Sequence, residues 1–222
     1  EEKLYSEKII YMPKIWSCHS GSKSERKLSP IPFDKNKFIT FCSFNNFCKI
    51  NENVIYTWSQ ILKSIKNSKL ILKPSGRLDA GRLKVEFKNY GVENSVIFKE
   101  NLKSVKDHLK SYNDIDLALD TFPYNGVTTS FEAIWMGVPV ITMKGYNYNS
   151  RCGESININA KLEKLIGENK KDYVYKAVSL AENEIELEKI RKNLHENALN
   201  TPLFDQKRFC DQFFTSLEKI YN

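Results

Sequence analysis

One run in the middle of the chain, Leu119-Asp120-Thr121-Phe122-Pro123-Tyr124-Asn125-Gly126-Val127-Thr128-Thr129, has the residue types and order that an anion site needs. A strand-prone segment ends there, a turn follows and a helix begins. Gly126 has no Cβ and would let a ligand approach the backbone beside Asn125. The first N–H groups of a helix have no intrahelical acceptor. With the positive end of the helix dipole they attract an anion, to which Thr128 and Thr129 add hydroxyl donors. The same residues also read as a Pro123–Gly126 turn closed by a threonine cap, so residue types alone leave both readings open.

Other residues gather around this run. Glu132 lies one helical turn beyond Thr128 and could accept hydrogen bonds from both hydroxyls of a ribose, or stand in solvent as a dipole-complementing glutamate. In the loop Phe44-Asn45-Asn46-Phe47-Cys48-Lys49-Ile50, Lys49 could reach a phosphate as a mobile point charge, with Asn46 supplying directional bonds. His108, one of three histidines, could stack on or bond a nucleobase or phosphate, or serve only as a structural helix residue.

Metal chemistry has weaker support. Asp114-Ile115-Asp116 has D-x-D spacing, but Asp116 opens a buried strand, and no histidine and cysteine set has zinc spacing. G-x-G-x-x-G and G-x-x-x-x-G-K-[ST] are absent, which argues against a dinucleotide oxidoreductase and a P-loop ATPase.

Strands alternating with helices must position these residues. Strands are predicted at 38–43, 69–73, 96–99, 115–119 and 138–142. Helices are predicted from Asn51 onward, with Val54, Trp58, Ile61, Leu62 and Ile65 on one face, and at 79–89, 104–112 and 128–136. A turn is expected at Pro74–Gly76. This alternation implies an α/β fold, a Rossmann-like parallel sheet with helices on both faces, whose ligands bind beyond the carboxyl ends of the strands. After residue 150 the strand signal stops and a helical tail is expected at 151–158, 170–182, 184–199 and 205–221. Its last helix sets Phe209, Phe213, Leu217 and Ile220 on one stripe, read as core or interface.

Composition narrows the class. At 222 residues with 41% hydrophobic and 27% charged residues, the chain can bury a full α/β core, and no apolar run approaches the length of a membrane span. The net charge of +7 is spread along the chain, without the basic cluster that nucleic-acid binding calls for. Five cysteines without a C-x-x-C pair read as reduced thiols, hence a cytoplasmic expectation.

Taken together, Phe44–Ile50, Leu119–Thr129, Glu132-Ala133-Ile134-Trp135-Met136-Gly137-Val138-Pro139-Val140 and Ser150-Arg151 resemble the carboxyl-terminal catalytic half of the O-GlcNAc transferase/SPINDLY family, glycosyltransferase family 41. The resemblance runs from Tyr11-Met12-Pro13 to Thr201-Pro202-Leu203-Phe204. It implies the second lobe of a two-lobed GT-B glycosyltransferase, with residues 1–36 as an inter-lobe segment and 37–222 as the nucleotide-sugar-binding lobe and its carboxyl-terminal helices. By position, Asn46 and Lys49 match the family's diphosphate loop, Thr128 and Thr129 its helix start, His108 its nucleotide-contacting histidine, and Glu132 an acidic residue at the ribose. Val127 and Val105 stand where animal members have a histidine and a lysine, which shifts the likeness toward bacterial and SPINDLY-like members.

The implied activity is inverting, metal-independent transfer of a GlcNAc-like sugar, UDP-GlcNAc being the expected donor, to Ser/Thr of a polypeptide acceptor, with Lys49 catalytic and no other cofactor. An amino-terminal lobe and tetratricopeptide repeats are expected upstream in the parent protein. Alternatives are fucosyl or glucosyl transfer, a sugar-nucleotide epimerase, and a non-catalytic interaction module.

Overall fold

A computed structural model describes residues 2–21, 29–73, 80–100 and 104–221. Among these residues six parallel strands form one sheet: β1 (Thr40–Ser43), β2 (Lys69–Leu72), β3 (Val96–Phe98), β4 (Leu117–Leu119), β5 (Val140–Met143) and β6 (Ile166–Gly167). Their order is β3-β2-β1-β4-β5-β6, so the direction of winding reverses between β1 and β4. At such a reversal the loops leaving the two strands diverge and open a crevice at the carboxyl edge. Those are the two loops that the sequence singled out.

The helices are α1 (Pro32–Asn36), α2 (Glu52–Ser64), α3 (Gly81–Asn89), α4 (Val105–Lys110), α5 (Thr128–Trp135), α6 (Tyr148–Asn159), α7 (Lys170–Ala181), α8 (Glu184–Asn197) and α9 (Gln206–Tyr221). Helix α2 starts where Asn51 accepts the Val54 amide, and it buries Val54, Ile55, Trp58, Ile61 and Leu62. Ser104 caps α4 through the Asp107 amide, as its spacing predicts. Asn147 and Ser150 form a reciprocal capping box at α6. Gly137, at φ +75°, ends α5 in a left-handed conformation that glycine adopts without steric cost.

Two expectations change. The sheet does not end at β5: the two-residue β6 pairs with it through Thr142 and Ile166, so the helical tail carries one more strand. The α9 stripe is core only in part: Phe209 packs against the core, while Phe213 is 42% and Ile220 50% exposed. Asp114 and Asp116 do not share a site, because Asp114 pairs with Lys99 at the surface while Asp116 is buried and accepts the Phe33 and Thr40 amides. The turn expected at Pro74–Gly76 lies outside the described residues. No helix among the described residues is long and apolar enough to cross a membrane.

Candidate functional site

The crevice is built on Asp120, the first residue after β4. Its buried carboxylate accepts the Gly126 amide at 2.6 Å, the Thr121 amide at 2.9 Å and the Thr142 hydroxyl at 2.8 Å. These bonds bend residues 120–126 back over the strand end, which places α5 with its amino terminus at the crevice. Burial raises the Asp120 pKa to about 6, against the opposing pull of the three donors and of Lys49, so the group is ionised at neutral pH.

This gives a testable pH dependence. Between 3.8 and about 6 the folded chain holds a proton that the unfolded chain has released, so this carboxyl's contribution to stability is full at low pH and is lost as pH rises through about 6. The unfolding free energy of wild type minus that of Asp120→Asn should be about 1 kcal/mol larger at pH 5 than at pH 7. Denaturant titrations at the two pH values measure it, and a pH-independent difference would show that Asp120 does not titrate in this range.

Lys49 comes from the β1 loop. Its Nζ donates to the Asn125 carbonyl at 2.8 Å and lies 3.9 Å from the centroid of the Tyr124 ring. Burial lowers its pKa, while the negative charge of Asp120 and, less, Cys152 acts the other way. Asn46 is exposed on the same loop, its Oδ1 accepting the Cys48 amide. Neighbouring Asn45 is buried and accepts the Thr129 hydroxyl at 3.0 Å, which ties the two loops together.

Helix α5 begins after Val127, and no side chain caps it there. Neither threonine is therefore the cap that the turn reading required: Thr128 is exposed, and Thr129 is half-buried and bonded to Asn45. The first turn of α5 carries no acidic residue, and its start is tied to the Lys49 loop through the Thr129–Asn45 bond.

Two predicted residues have other roles. Asn125 is fully buried; its Nδ2 donates to the Thr121 carbonyl and its Oδ1 accepts the Gly153 amide, so its side chain holds the turn. Gly126 gives no open approach to the backbone: a Cβ there would lie 2.6 Å from Thr129 Oγ1 and 2.8 Å from Asn45 Oδ1. It is glycine because the two tied loops pass against it.

His108 and Glu132 meet, with Nε2 and Oε2 2.9 Å apart. Both ring nitrogens of His108 are engaged, Nε2 by Glu132 and Nδ1 by Lys73, so the ring meets a ligand by its face or edge. Phe44 and Tyr112 pack against that ring at 5.8 Å each, and Tyr112 donates to the Thr129 carbonyl, joining this pair to the α5 start. Glu132 also lines a cleft of about 310 Å3 with His19, Ser20, Gly21, Val105, Leu109 and Trp135.

Lys73, Asp120 and His19 had no predicted role. Asp120 and Lys73 follow directly on strands, at the sheet edge where ligands bind, and that position was the available signal. His19 carries no local signal, because it reaches the cleft only through the fold.

The sequence profile of Glycosyl transferase family 41 matches residues 24–213. The chain is 36% identical over 226 residues to a probable UDP-N-acetylglucosamine–peptide N-acetylglucosaminyltransferase SPINDLY of Eustoma exaltatum subsp. russellianum, covering 100% of this chain and 24% of that protein. The corresponding Petunia hybrida protein is 34% identical over 99% of this chain and 24% of its own length. Among solved structures, a K341M mutant of the Thermobaculum terrenum O-GlcNAc transferase superposes with a TM-score of 0.87 at 28% identity, covering 99% of this chain and 41% of that one. The sheet and its flanking helices thus match one lobe of a GT-B glycosyltransferase. The chain spans about a quarter of the length of these curated relatives. A match of this extent, in profile, sequence and fold, means that the chain belongs to glycosyl transferase family 41.

Proposed function

We propose that this chain is the donor-binding half of a transferase that moves a GlcNAc-like sugar from a nucleoside diphosphate, UDP-GlcNAc in the first instance, to Ser/Thr hydroxyls of a polypeptide with inversion. The observation that carries the reading is the uncapped start of α5 set beside the Lys49 ammonium. As the glycosidic bond breaks, negative charge grows on the departing diphosphate. Fixed donors and a cation already in place stabilise that charge without reorganising, and they do so without requiring a metal ion. Lys49 then leaves the Asn125 carbonyl for the phosphate, and Thr128 with the first amides of α5 completes the cradle.

Glu132, one turn along the same helix, suits the ribose hydroxyls, and the His19–Val105–Trp135 cleft beside it suits the nucleoside. Residues 1–36 are read as the segment that joins this lobe to an upstream one bearing the general base and, beyond it, repeats that select the acceptor. The names of the SPINDLY relatives support a nucleotide-sugar donor and a peptide acceptor.

The full-length protein incubated with radiolabelled UDP-GlcNAc and a polypeptide acceptor tests this. Label on the polypeptide is the expected outcome. Isomerised free nucleotide sugar would mean an epimerase, and transfer only from GDP-fucose or UDP-glucose would reassign the sugar.

A further inference from the structure

Lys73 follows β2 and is 3% exposed. Lysine is almost never buried to that degree unless it is paired, and the donor-site reading gives this one no task. An ammonium has three N–H donors and no acceptor. Each donor of Lys73 has a partner: Nδ1 of His108, the Ser111 hydroxyl oxygen at 3.3 Å, and the face of Phe44, with 4.4 Å to the ring centroid. Ser111 spends its own proton on the His108 carbonyl at 2.5 Å, which leaves its oxygen to accept from Lys73.

This chain of bonds has a single polarity. The ammonium can only donate, so Nδ1 of His108 must offer its lone pair. The Glu132 carboxylate accepts in its bond to Nε2, so Nε2 carries the hydrogen. We infer that Lys73 is a positioning residue of the nucleotide site, fixing His108 as the neutral Nε2–H tautomer and, through it, holding Glu132 with Oε2 bound and Oε1 left for a ligand in the cleft. The consequence for binding rests on the donor-site reading; the tautomer does not. Burial lowers the Lys73 pKa to about 8, with Cys42 and Glu132 opposing and Lys99 reinforcing, so the ammonium is still protonated at pH 7 and can play this part.

Nitrogen-15 NMR of the imidazoles in this chain at pH 7 is the test. In the wild type His108 should show a bare Nδ1 and a protonated Nε2. Lys73→Met should move the Nδ1 resonance, which loses its donor, and raise the dissociation constant for UDP or GDP, whichever the wild type binds, about tenfold. Leu194→Ala, a core change of similar cost to stability, should leave the ring resonances in place. A wild-type His108 protonated on Nδ1, or ring resonances unmoved by Lys73→Met, overturns the inference, and the wild-type spectrum decides by itself if the Met variant does not fold. Ring resonances that respond in a protein binding neither nucleotide would uphold the positioning and overturn the donor-site reading.

Discussion

Replacing Lys49 by alanine in the full-length protein should lower kcat for sugar transfer about 100- to 1,000-fold while leaving the folded state nearly as stable as before. The asymmetry follows from where the side chain sits. In the fold it makes one hydrogen bond, to the Asn125 carbonyl, and one ring contact, to the exposed Tyr124, and loss of such a half-buried pair costs about 1 kcal/mol or less. In the reaction it faces a diphosphate whose charge grows as the sugar leaves, so its contribution is larger in the transition state than in the bound substrate. The loss should therefore appear in kcat more than in KM. Lys49→Arg should recover only part of the rate, because a planar fork does not replace a point charge held between a carbonyl and a ring. Initial rates and a melting curve for each variant are sufficient. A transfer rate near wild type for Lys49→Ala would remove the leaving-group role.

Asn125→Ala should give the opposite pattern, a loss of stability of about 2–4 kcal/mol and a melting temperature lower by about 5–10 °C. The substitution removes the side-chain partner of two buried backbone groups, the Thr121 carbonyl and the Gly153 amide. Asn125→Asp should be little better, since it keeps the acceptor for Gly153 but sets a second carboxylate close to Asp120 and against a carbonyl oxygen. Were Asn125 a ligand contact, as its place in the motif suggested, alanine would weaken nucleotide binding and leave the melting temperature alone. Differential scanning calorimetry without ligand separates the two.

Much of this architecture is legible before any coordinates. Helix α2 shows its buried face through Val54, Trp58, Ile61 and Leu62 because a long helix with one apolar stripe repeats its signal several times over. The alternation of strand and helix places the Asn46–Lys49 loop and the Thr128–Thr129 helix start at the same edge of the sheet, since parallel strands send all such loops one way. What stays hidden depends on distance along the chain or on lack of pattern. Lys73 finds His108 across 35 residues, and no spacing rule connects them. Strand β6 has two residues, Ile166 and Gly167, too few for any period. The α9 stripe of Phe209, Phe213, Leu217 and Ile220 has the periodicity of a core helix, yet Phe213 and Ile220 are exposed, because amphipathic spacing reports a face and not what covers it. The backbone bonds of Asn125 stay hidden for another reason: a polar side chain in a ligand-binding motif has the same letter whether it faces the ligand or the backbone.

The central claim is that the start of α5 and Lys49 together hold a nucleoside diphosphate. Isothermal titration of this chain with UDP and with GDP, repeated with Lys49→Ala, tests it most directly. The account predicts one-to-one binding of at least one of the two by the wild type and binding weakened about tenfold or more by the substitution. Heat of dilution alone for both nucleotides up to millimolar concentration, or equal affinity in the Lys49 variant, would contradict it.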